Sequence, residues 1–298
     1  VTTDARTRTD VVAAILVEAL PYIRRFQGAV VVIKYGGAAL AGAADPATAL
    51  AGFAEDVALL RSVGMAPVVV HGGGPQIASL LERLGRSSEF VDGHRVTDAE
   101  TLEVARMVLV GKVNSELVAA INVHGPLAVG ISGFDANLLR VGRRDEELGY
   151  VGDVEVVDPT LLQGLLAQGL VPVVATMGSD TLGQAYNVNA DAVAGALAAA
   201  LTAEKLVVLT DVDGLRRDPH DAATRVDRLD ADELAALVAA GSAAGGMGPK
   251  AAACLAAIRG GVRAAHLLDG RVPHAVLLEL LTDGGVGTMV TARAREDA

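Results

Sequence analysis

The chain has 298 residues and carries 25 lysines and arginines against 36 aspartates and glutamates, a formal charge of −11 at pH 7. That length allows one large or two moderate α/β domains with ample core, and the negative charge argues against a nucleic-acid partner, with a local basic cleft left open. A single cysteine, Cys254, excludes a disulfide framework and a cysteine-based metal site. Aromatic residues make up 3% and tryptophan is absent, which speaks against stacking platforms for single strands. The longest apolar run, Ala192–Ala203, is far too short to span a membrane. The first ten residues are polar and no apolar signal region follows, so a soluble, cytoplasmic protein without membrane contact is expected.

Residues 11–26, "VVAAILVEALPYIRRF", open the order of elements with a helical pattern: apolar side chains fall at 11, 12, 15, 16, 19, 20 and 23. From residue 29 onward, buried-strand runs at 29–35, 66–71, 126–131, 170–175, 205–210 and 263–267 alternate with amphipathic segments such as 46–63, 75–84 and 98–123. That alternation predicts an α/β fold with a mainly parallel sheet covered by helices on both faces. Residues 138–144 and 153–157 read instead as a short exposed hairpin. A lobe boundary is placed near 180–186.

The chemistry gathers at the strand ends. In "VVVIKYGGAAL", residues 30–40, a lysine precedes two glycines, whereas a Walker-type loop puts its lysine after the last glycine. In "PVVVHGGGPQI", residues 67–77, a strand ends at His71, three glycines follow, and Pro75 opens a helix where its missing N–H is harmless. Gly72–Gly74 let the backbone approach a ligand and leave N–H groups at the helix start for an anion. Gly36 and Gly37 occupy the same place after the first strand. Either turn alone reads equally as a tight connection. Two at one carboxyl edge of a parallel sheet favour a phosphate site. Lys34, at the tip of its strand, then points a charge into that crevice; taken alone it reads better as an exposed lysine.

Further on, Asn187 and Asn189 alternate out of a short strand, and Asp191 starts an Ala/Leu-rich helix, where it also suits an N-cap or first-turn acid. Asp211, Asp213 and Gly214 follow the strand at 205–210; they could meet a ribose or metal-bound phosphates, or form an Asp-rich turn. In "GGMGPKAAACLAAI" Lys250 stands in a first helical turn, where the dipole disfavours a cation. Such a local violation is expected where function demands it.

These stretches, with "GHRVTDAETLEVARMVL" and "AHLLDGRVPHAVLLELLTDGGVGTM", resemble in order the amino acid kinase family, and within it the kinases that phosphorylate N-acetyl-L-glutamate in arginine biosynthesis; the likeness covers residues 30–290. The resemblance implies an open three-layer α/β/α sandwich: an N-terminal extension at 1–27 for oligomerisation and regulation, a lobe at 28–185 for the acyl amino acid and dimer contact, and an ATP lobe at 186–298. It implies that Lys34 and Lys250 flank the transferred phosphoryl group, that Gly37 and Gly73 donate backbone N–H groups to it, and that Asp191 orients both lysines. Arg95 would pair with the substrate α-carboxylate, beside Asn187 and Gly74. Gly36, Gly37, Asp211 and Gly214 fall to the nucleotide, ATP with Mg²⁺, the metal arriving on the nucleotide. Arg95 precedes a predicted capping box, Thr97-x-x-Glu100, that would fix its turn; without the resemblance a surface salt bridge is the better reading. In the arginine-inhibited subgroup, dimers join as a hexamer through exchanged N-terminal helices, and the arginine positions map to Tyr22, His266, Glu279 and Gly287.

Two departures stand out: Gly248, where a larger residue is usual, and "ATMGSD" at 175–180. Competing readings are a sister kinase for N-acetylaminoadipate and a non-catalytic arginine or nucleotide sensor. A binding module has no need of a transition-state clamp, so Lys34, Asp191 and Lys250 together oppose the sensor. Six histidines scattered at 71, 94, 124, 220, 266 and 274 give no metal-hydrolase cluster.

Overall fold

The computed structural model describes residues 2–36, 45–91, 93–218, 221–241, 245–282 and 285–292, with the backbone alone described for 2–13 and 222. Helix α1 (Thr2–Phe26) leads into strand β1 (Val30–Tyr35). Then come α2 (Pro46–Ser62), β2 (Ala66–His71), α3 (Gly74–Arg83), and a two-stranded ribbon of β3 (Phe90–Val91) and β4 (His94–Arg95). Helix α4 (Ala99–Arg106) runs through a π-helical segment (Met107–Val113) into α5 (Asn114–Asn122). The middle of the chain holds β5 (Ala128–Ser132), β6 (Leu139–Arg143), β7 (Val151–Val157), α6 (Thr160–Ala167), β8 (Val171–Ala175), β9 (Met177–Ser179) and β10 (Ala185–Val188). Last are α7 (Ala190–Ala200), β11 (Lys205–Thr210), β12 (Arg228–Asp230), α8 (Ala231–Ala239), α9 (Met247–Arg259), β13 (Ala264–Asp269), α10 (Ala275–Leu281) and β14 (Thr288–Thr291).

Eight strands form one sheet in the order β12-β14-β13-β11-β1-β2-β8-β5, parallel except between β13 and β14. The sequence explains its two-sidedness. Alternate residues of the near-continuous apolar strands enter different cores: Val31, Ile33 and Val69 on one face, Val32, Val68 and Val70 on the other. The strand order turns at β1, with β2 on one side and β11 on the other. Ligands of open α/β sheets bind outside the carboxyl ends at such a switch point.

All six predicted core strands and the α/β sandwich class are present. The predicted hairpin is exposed on one face only, where Arg140, Asp153, Glu155 and Val156 lie. Strands β6 and β7 pair antiparallel, but close with β9 and β10 into a four-stranded unit, and Leu139, Val141 and Val151 are buried. The polar residues of the connection, 144–150, gave the stretch its exposed look. The helix predicted over 98–123 is interrupted by the seven-residue π segment, a form that recurs near functional sites. No capping box forms at Thr97: Asp98 accepts the Thr101 N–H at 2.7 Å, while Glu100 pairs with Arg86. An aspartate one residue on outcompetes the threonine, whose hydroxyl donates to the Arg95 carbonyl at 2.8 Å. Among the described residues no helix is long and apolar enough to cross a membrane.

Candidate active site

Lys34 sits on β1 and reaches Asp191 in the first turn of α7, Nζ to Oδ1 2.9 Å. Lys250, in the first turn of α9, reaches the other oxygen of the same carboxylate at 3.3 Å. Asp191 and Lys34 are both buried. Burial raises the Asp191 carboxyl, but the two ammonium groups outweigh it and hold the group below the usual carboxylate range. Burial likewise lowers the Lys34 ammonium, against the attraction of Asp191 and with the repulsion of Lys250. The carboxylate therefore faces two positive charges that point toward one place.

Asp191 is not the helix cap. Asn189 is: its Oδ1 accepts the N–H groups of Asp191 at 2.8 Å and Ala192 at 3.1 Å. Asn189 has thus left the strand, and Asn187 alone of the two asparagines belongs to β10. With the cap supplied by its neighbour, Asp191 is free to serve the lysines.

A cavity of about 210 Å³ joins the predicted residues: Lys34, Gly36, Gly73, Arg95, Asn187 and Asp191 all line it, and Gly74 lies beside them. Gly73 caps α3, and a Cβ there would lie 2.8 Å from the Leu109 side chain of the π segment. A Cβ at Gly36 would come within 2.9 Å of Lys34 Nζ. Both glycines are therefore needed for close approach rather than for a left-handed turn. Arg95 is buried and held from three sides: Nη2 donates to Gly74 O at 2.8 Å, Nη1 to the Ser88 hydroxyl, and the guanidinium lies 4.7 Å over the Phe90 ring. Ser88 and Phe90 were not singled out from sequence, since a polar loop residue and a lone aromatic carry no spacing signal.

Gly37 lies outside the described residues. Asp211 is exposed at the carboxyl end of β11, taking a hydrogen bond from the Thr210 hydroxyl at 3.2 Å, and its charge acts on Lys34. Asp213 instead pairs with Arg216 at 2.9 Å, which fits the turn reading. Gly214 has φ 136°, and a Cβ would meet the Thr288 hydroxyl at 2.7 Å, so its demand is conformational. Neither Asp211 nor Gly214 lines the 210 Å³ cavity. Gly248 falls in the first turn of α9, and the 175–180 turn runs into β9. A larger cavity of about 520 Å³ lies elsewhere, between Phe53 and Asp56 of α2 and the loop at Arg271–His274. None of the sequence-selected residues lines it.

The positions mapped to arginine gather away from this edge. His266 Nδ1 lies 2.6 Å from Glu279 Oε1, and Glu279 Oε2 accepts the Val286 N–H at 2.9 Å. Tyr22, half-buried on α1, packs against the same core, and Gly287 lies against the Leu267 carbonyl of β13. Glu279 is thus already engaged on both oxygens.

An open, switch-point α/β sheet with paired lysines and glycine turns at its carboxyl edge is the architecture of a small-molecule phosphotransferase. A model of the amino acid kinase family matches residues 29–269, and the chain belongs to that family. It is 54% identical to the acetylglutamate kinase of Symbiobacterium thermophilum over 287 residues, 93% of this chain and 97% of that one. It is 55% identical to that of Acidothermus cellulolyticus over 289 residues, 93% and 96% of the two chains. Among solved structures, N-acetylglutamate synthase from Neisseria gonorrhoeae complexed with coenzyme A and N-acetyl-glutamate superposes with a TM-score of 0.82 at 29% identity; the match covers 95% of this chain and 64% of that one. Giardia carbamate kinase shares the fold at a TM-score of 0.66, with 16% identity and coverage of 89% and 99%.

Removing the carboxylate leaves the buried Lys34 ammonium facing the half-buried Lys250 with no counter-charge between them. Asp191→Ala is expected to destabilise the protein by about 3–5 kcal/mol in urea unfolding at neutral pH. The deficit should shrink as pH rises, because a lysine whose folded pKa is lowered makes the native state bind fewer protons. A loss below about 1 kcal/mol would mean that another group holds the lysines.

Proposed function

We propose that the protein transfers the γ-phosphoryl group of ATP to the side-chain carboxylate of N-acetyl-L-glutamate, an early step of arginine biosynthesis. The observation that carries this reading is the Lys34–Asp191–Lys250 cluster, of which Lys34 and Asp191 line a small cavity together with a pinned arginine while Lys250 stands behind Asp191. About 210 Å³ suits an acylated amino acid, and a nucleotide must extend along the open edge beyond it, toward Asp211 and Gly214. Arg95 takes the substrate α-carboxylate through a guanidinium fixed by Gly74 and Ser88, with Asn187 and Gly74 framing the acyl amino acid. Gly36 and Gly37 border the phosphates of the nucleotide. The division into an acyl-amino-acid lobe up to 185 and a nucleotide lobe from 186 fits a cluster drawn from β1 on one side and α7 and α9 on the other.

The acceptor carboxylate, with an unperturbed pKa near ~4.3, is already ionised at neutral pH, so no general base is required. One of its oxygens attacks the γ-phosphorus, the bond to the β–γ bridging oxygen breaks, and ADP leaves with that electron pair. Lys34 and Lys250 neutralise charge spreading over the equatorial and leaving oxygens, Gly73 donates its N–H, and Asp191 keeps both ammonium groups aimed. Among the described residues no cluster of His, Cys, Asp and Glu could hold a resident metal, and both Asp191 oxygens are taken by lysines. For Mg²⁺ carried on the nucleotide, the exposed Asp211 at the carboxyl end of β11 would be the nearby carboxylate. When bound, that ion supplies further charge neutralisation at the phosphates.

Regulation by arginine and a hexamer built from dimers form part of the same reading. On α1 the side chains of Ile15, Leu16, Val17 and Leu20 are exposed at 57%, 63%, 70% and 41%, while Phe26 is buried. Such a face calls for a partner, and exchange of α1 between copies would supply it. N-acetylglutamate synthase from Neisseria gonorrhoeae, complexed with coenzyme A and L-arginine, has the same fold at a TM-score of 0.80 and 30% identity. An arginine guanidinium near Tyr22, His266, Glu279 and Gly287 would have to share Glu279 with His266 and the Val286 N–H. Because its preferred arrangement differs from that of the substrates, arginine would couple to them through that difference in affinity.

The function is tested by ADP release with N-acetylglutamate, glutamate and N-acetylaminoadipate as acceptors; turnover with N-acetylaminoadipate alone would reassign the substrate. Lys34→Ala and Lys250→Ala should each lower kcat by about 10²–10³-fold with modest change in KM, and near wild-type kcat would overturn their roles. Arg95→Lys keeps the charge but loses the planar fork, so KM for the acyl amino acid should rise while KM for ATP holds. A rise confined to ATP would put Arg95 at the other substrate. Light scattering should find a hexamer inhibited by arginine, and a dimer with blunted inhibition once residues 1–25 are removed. A full-length dimer indifferent to millimolar arginine would sink the regulatory part and leave the kinase standing.

A further inference from the structure

Behind the second glycine turn lies a buried hydrogen-bond chain that none of the assigned roles uses. His71, the last residue of β2, is wholly buried. Its Nδ1 lies 3.1 Å from Gly72 O and its Nε2 lies 3.0 Å from Asn114 Nδ2. The same Asn114 nitrogen has two N–H groups for three acceptors: one serves His71, and the other donates to Val173 O of β8 at 2.8 Å, with Ile131 O of β5 sharing it at 3.3 Å. Two carbonyls facing one side of the amide require the NH₂ group there, which fixes the orientation of Asn114. An amide nitrogen only donates, so His71 Nε2 must accept, and the ring proton must be on Nδ1, donating to Gly72 O. Burial pushes the imidazole down to about 4, so it stays neutral at physiological pH.

The consequence lies in the next peptide group. No peptide bond among the described residues is cis, and in a trans peptide the carbonyl and the N–H point in opposite directions. The Gly72 carbonyl faces the buried imidazole, so the N–H of Gly73 faces away from it; Gly72–Gly74 line the cavity, and His71 does not. No backbone carbonyl among the described residues accepts that N–H. The fold makes specific room for the arrangement. A Cβ at Gly130 of β5 would sit 2.0 Å from Asn114 Oδ1, so the amide enters only because Gly130 has no side chain. Asn114 itself follows directly on the π segment whose Leu109 and Val113 pack on Gly73.

We propose that Asn114, acting through His71, sets the orientation of the Gly72–Gly73 peptide and so aims the Gly73 N–H at the transferred phosphoryl group. Both are positioning residues, and the inference rests on the reading of Gly73 as a donor to that group. Their contribution is to the transition state, where a donor misplaced by an ångström forfeits about 10²-fold in rate.

The test exploits which imidazole nitrogen matters. His71→Asn places an amide N–H where Nδ1 stood and keeps the bond to Gly72 O. His71→Gln mimics the Nε2 end instead, and His71→Leu keeps neither. ADP release with N-acetylglutamate is measured for all three and for Gly130→Ala, alongside thermal unfolding. The expected result is a kcat within about tenfold of wild type for His71→Asn, and about 10²-fold lower for His71→Gln, His71→Leu and Gly130→Ala, with KM for both substrates little changed. Binding of ADP alone should be unaffected in calorimetry, and binding of ADP with aluminium fluoride and N-acetylglutamate weakened in the low-kcat variants. If His71→Leu fails to fold, the pair His71→Asn and His71→Gln decides the matter. Equal kcat for that pair, or loss of activity in proportion to thermal stability, overturns the proposal. An inactive wild type would overturn the kinase reading instead, so the two failures are distinct.

Discussion

Everything at the carboxyl edge of the sheet depends on one buried carboxylate holding two ammonium groups. Asp191 arrives on a helix capped by Asn189, Lys34 on the strand at the switch point, and Lys250 on a helix nearly 60 residues further along. Each of the three would be costly to bury alone, and together they offset one another only if β1, α7 and α9 are in register. The cluster therefore acts as a lock between the half of the sheet containing β2 and the half containing β11. It also bears on Gly36, where a Cβ would lie 2.9 Å from the Lys34 ammonium and push it away from Asp191. The electrostatic demand came first, and the steric demand follows from it.

The site is built to resist relaxation at both ends. At one end the lysines are tied to Asp191; at the other, Arg95 is tied to Gly74 O, Ser88 and the Phe90 ring. Preorganised charges of this kind need no reorganisation as the reaction proceeds, which is why they are worth more here than the same groups in water. Stability is given up locally to achieve it. Lys250 sits at the positive end of a helix dipole, Lys34 is desolvated, and a π segment replaces a regular helix where Leu109 meets Gly73.

What could be read in the sequence follows the range of each signal. The six core strands were legible because buried parallel strands are near-continuous β-branched runs, a property of the strand alone. Lys250 was legible because a cation at a helix start breaks a local rule, whereas Lys34 and the glycine turns were legible only in combination, as two turns and a lysine at one carboxyl edge. Asp191 was legible only in part, since its capping partner Asn189 and its two lysines are matters of tertiary contact. The π segment was not legible, because "MVLVGKV" has ordinary helical periodicity, and its contact with Gly73 through Leu109 and Val113 is a matter of tertiary packing. The Thr97 box failed because Asp98 competes for the same N–H groups, a contest of one residue that spacing rules do not resolve. Asn114 left no mark at all: a polar residue inside a helical pattern looks like a solvent-facing position until three strands are brought behind it.

The two rigid ends bear on which acceptor the cavity can take. A guanidinium pinned by three partners and a pair of ammonium groups pinned by a carboxylate define a fixed span, and on the proposed assignment the substrate would bridge it from α-carboxylate to reacting carboxylate. A flexible pocket would tolerate chains of different length by letting Arg95 or Lys34 follow the ligand. Here neither can move without exposing a partner to an unpaired, desolvated state, which costs about 1–3 kcal/mol per lost hydrogen bond. A longer acceptor must therefore fold its own chain, and a shorter one must leave an end unpaired. One methylene in an apolar slot discriminates by only about 1–3 kcal/mol. Length measured between two fixed charges adds the penalty of a misaligned phosphoryl transfer to that figure. On the proposed assignment, selectivity between acyl amino acids that differ by one methylene would in this way come from the hydrogen bonds behind Arg95 and from the Asp191 clamp, rather than from the apolar walls between them.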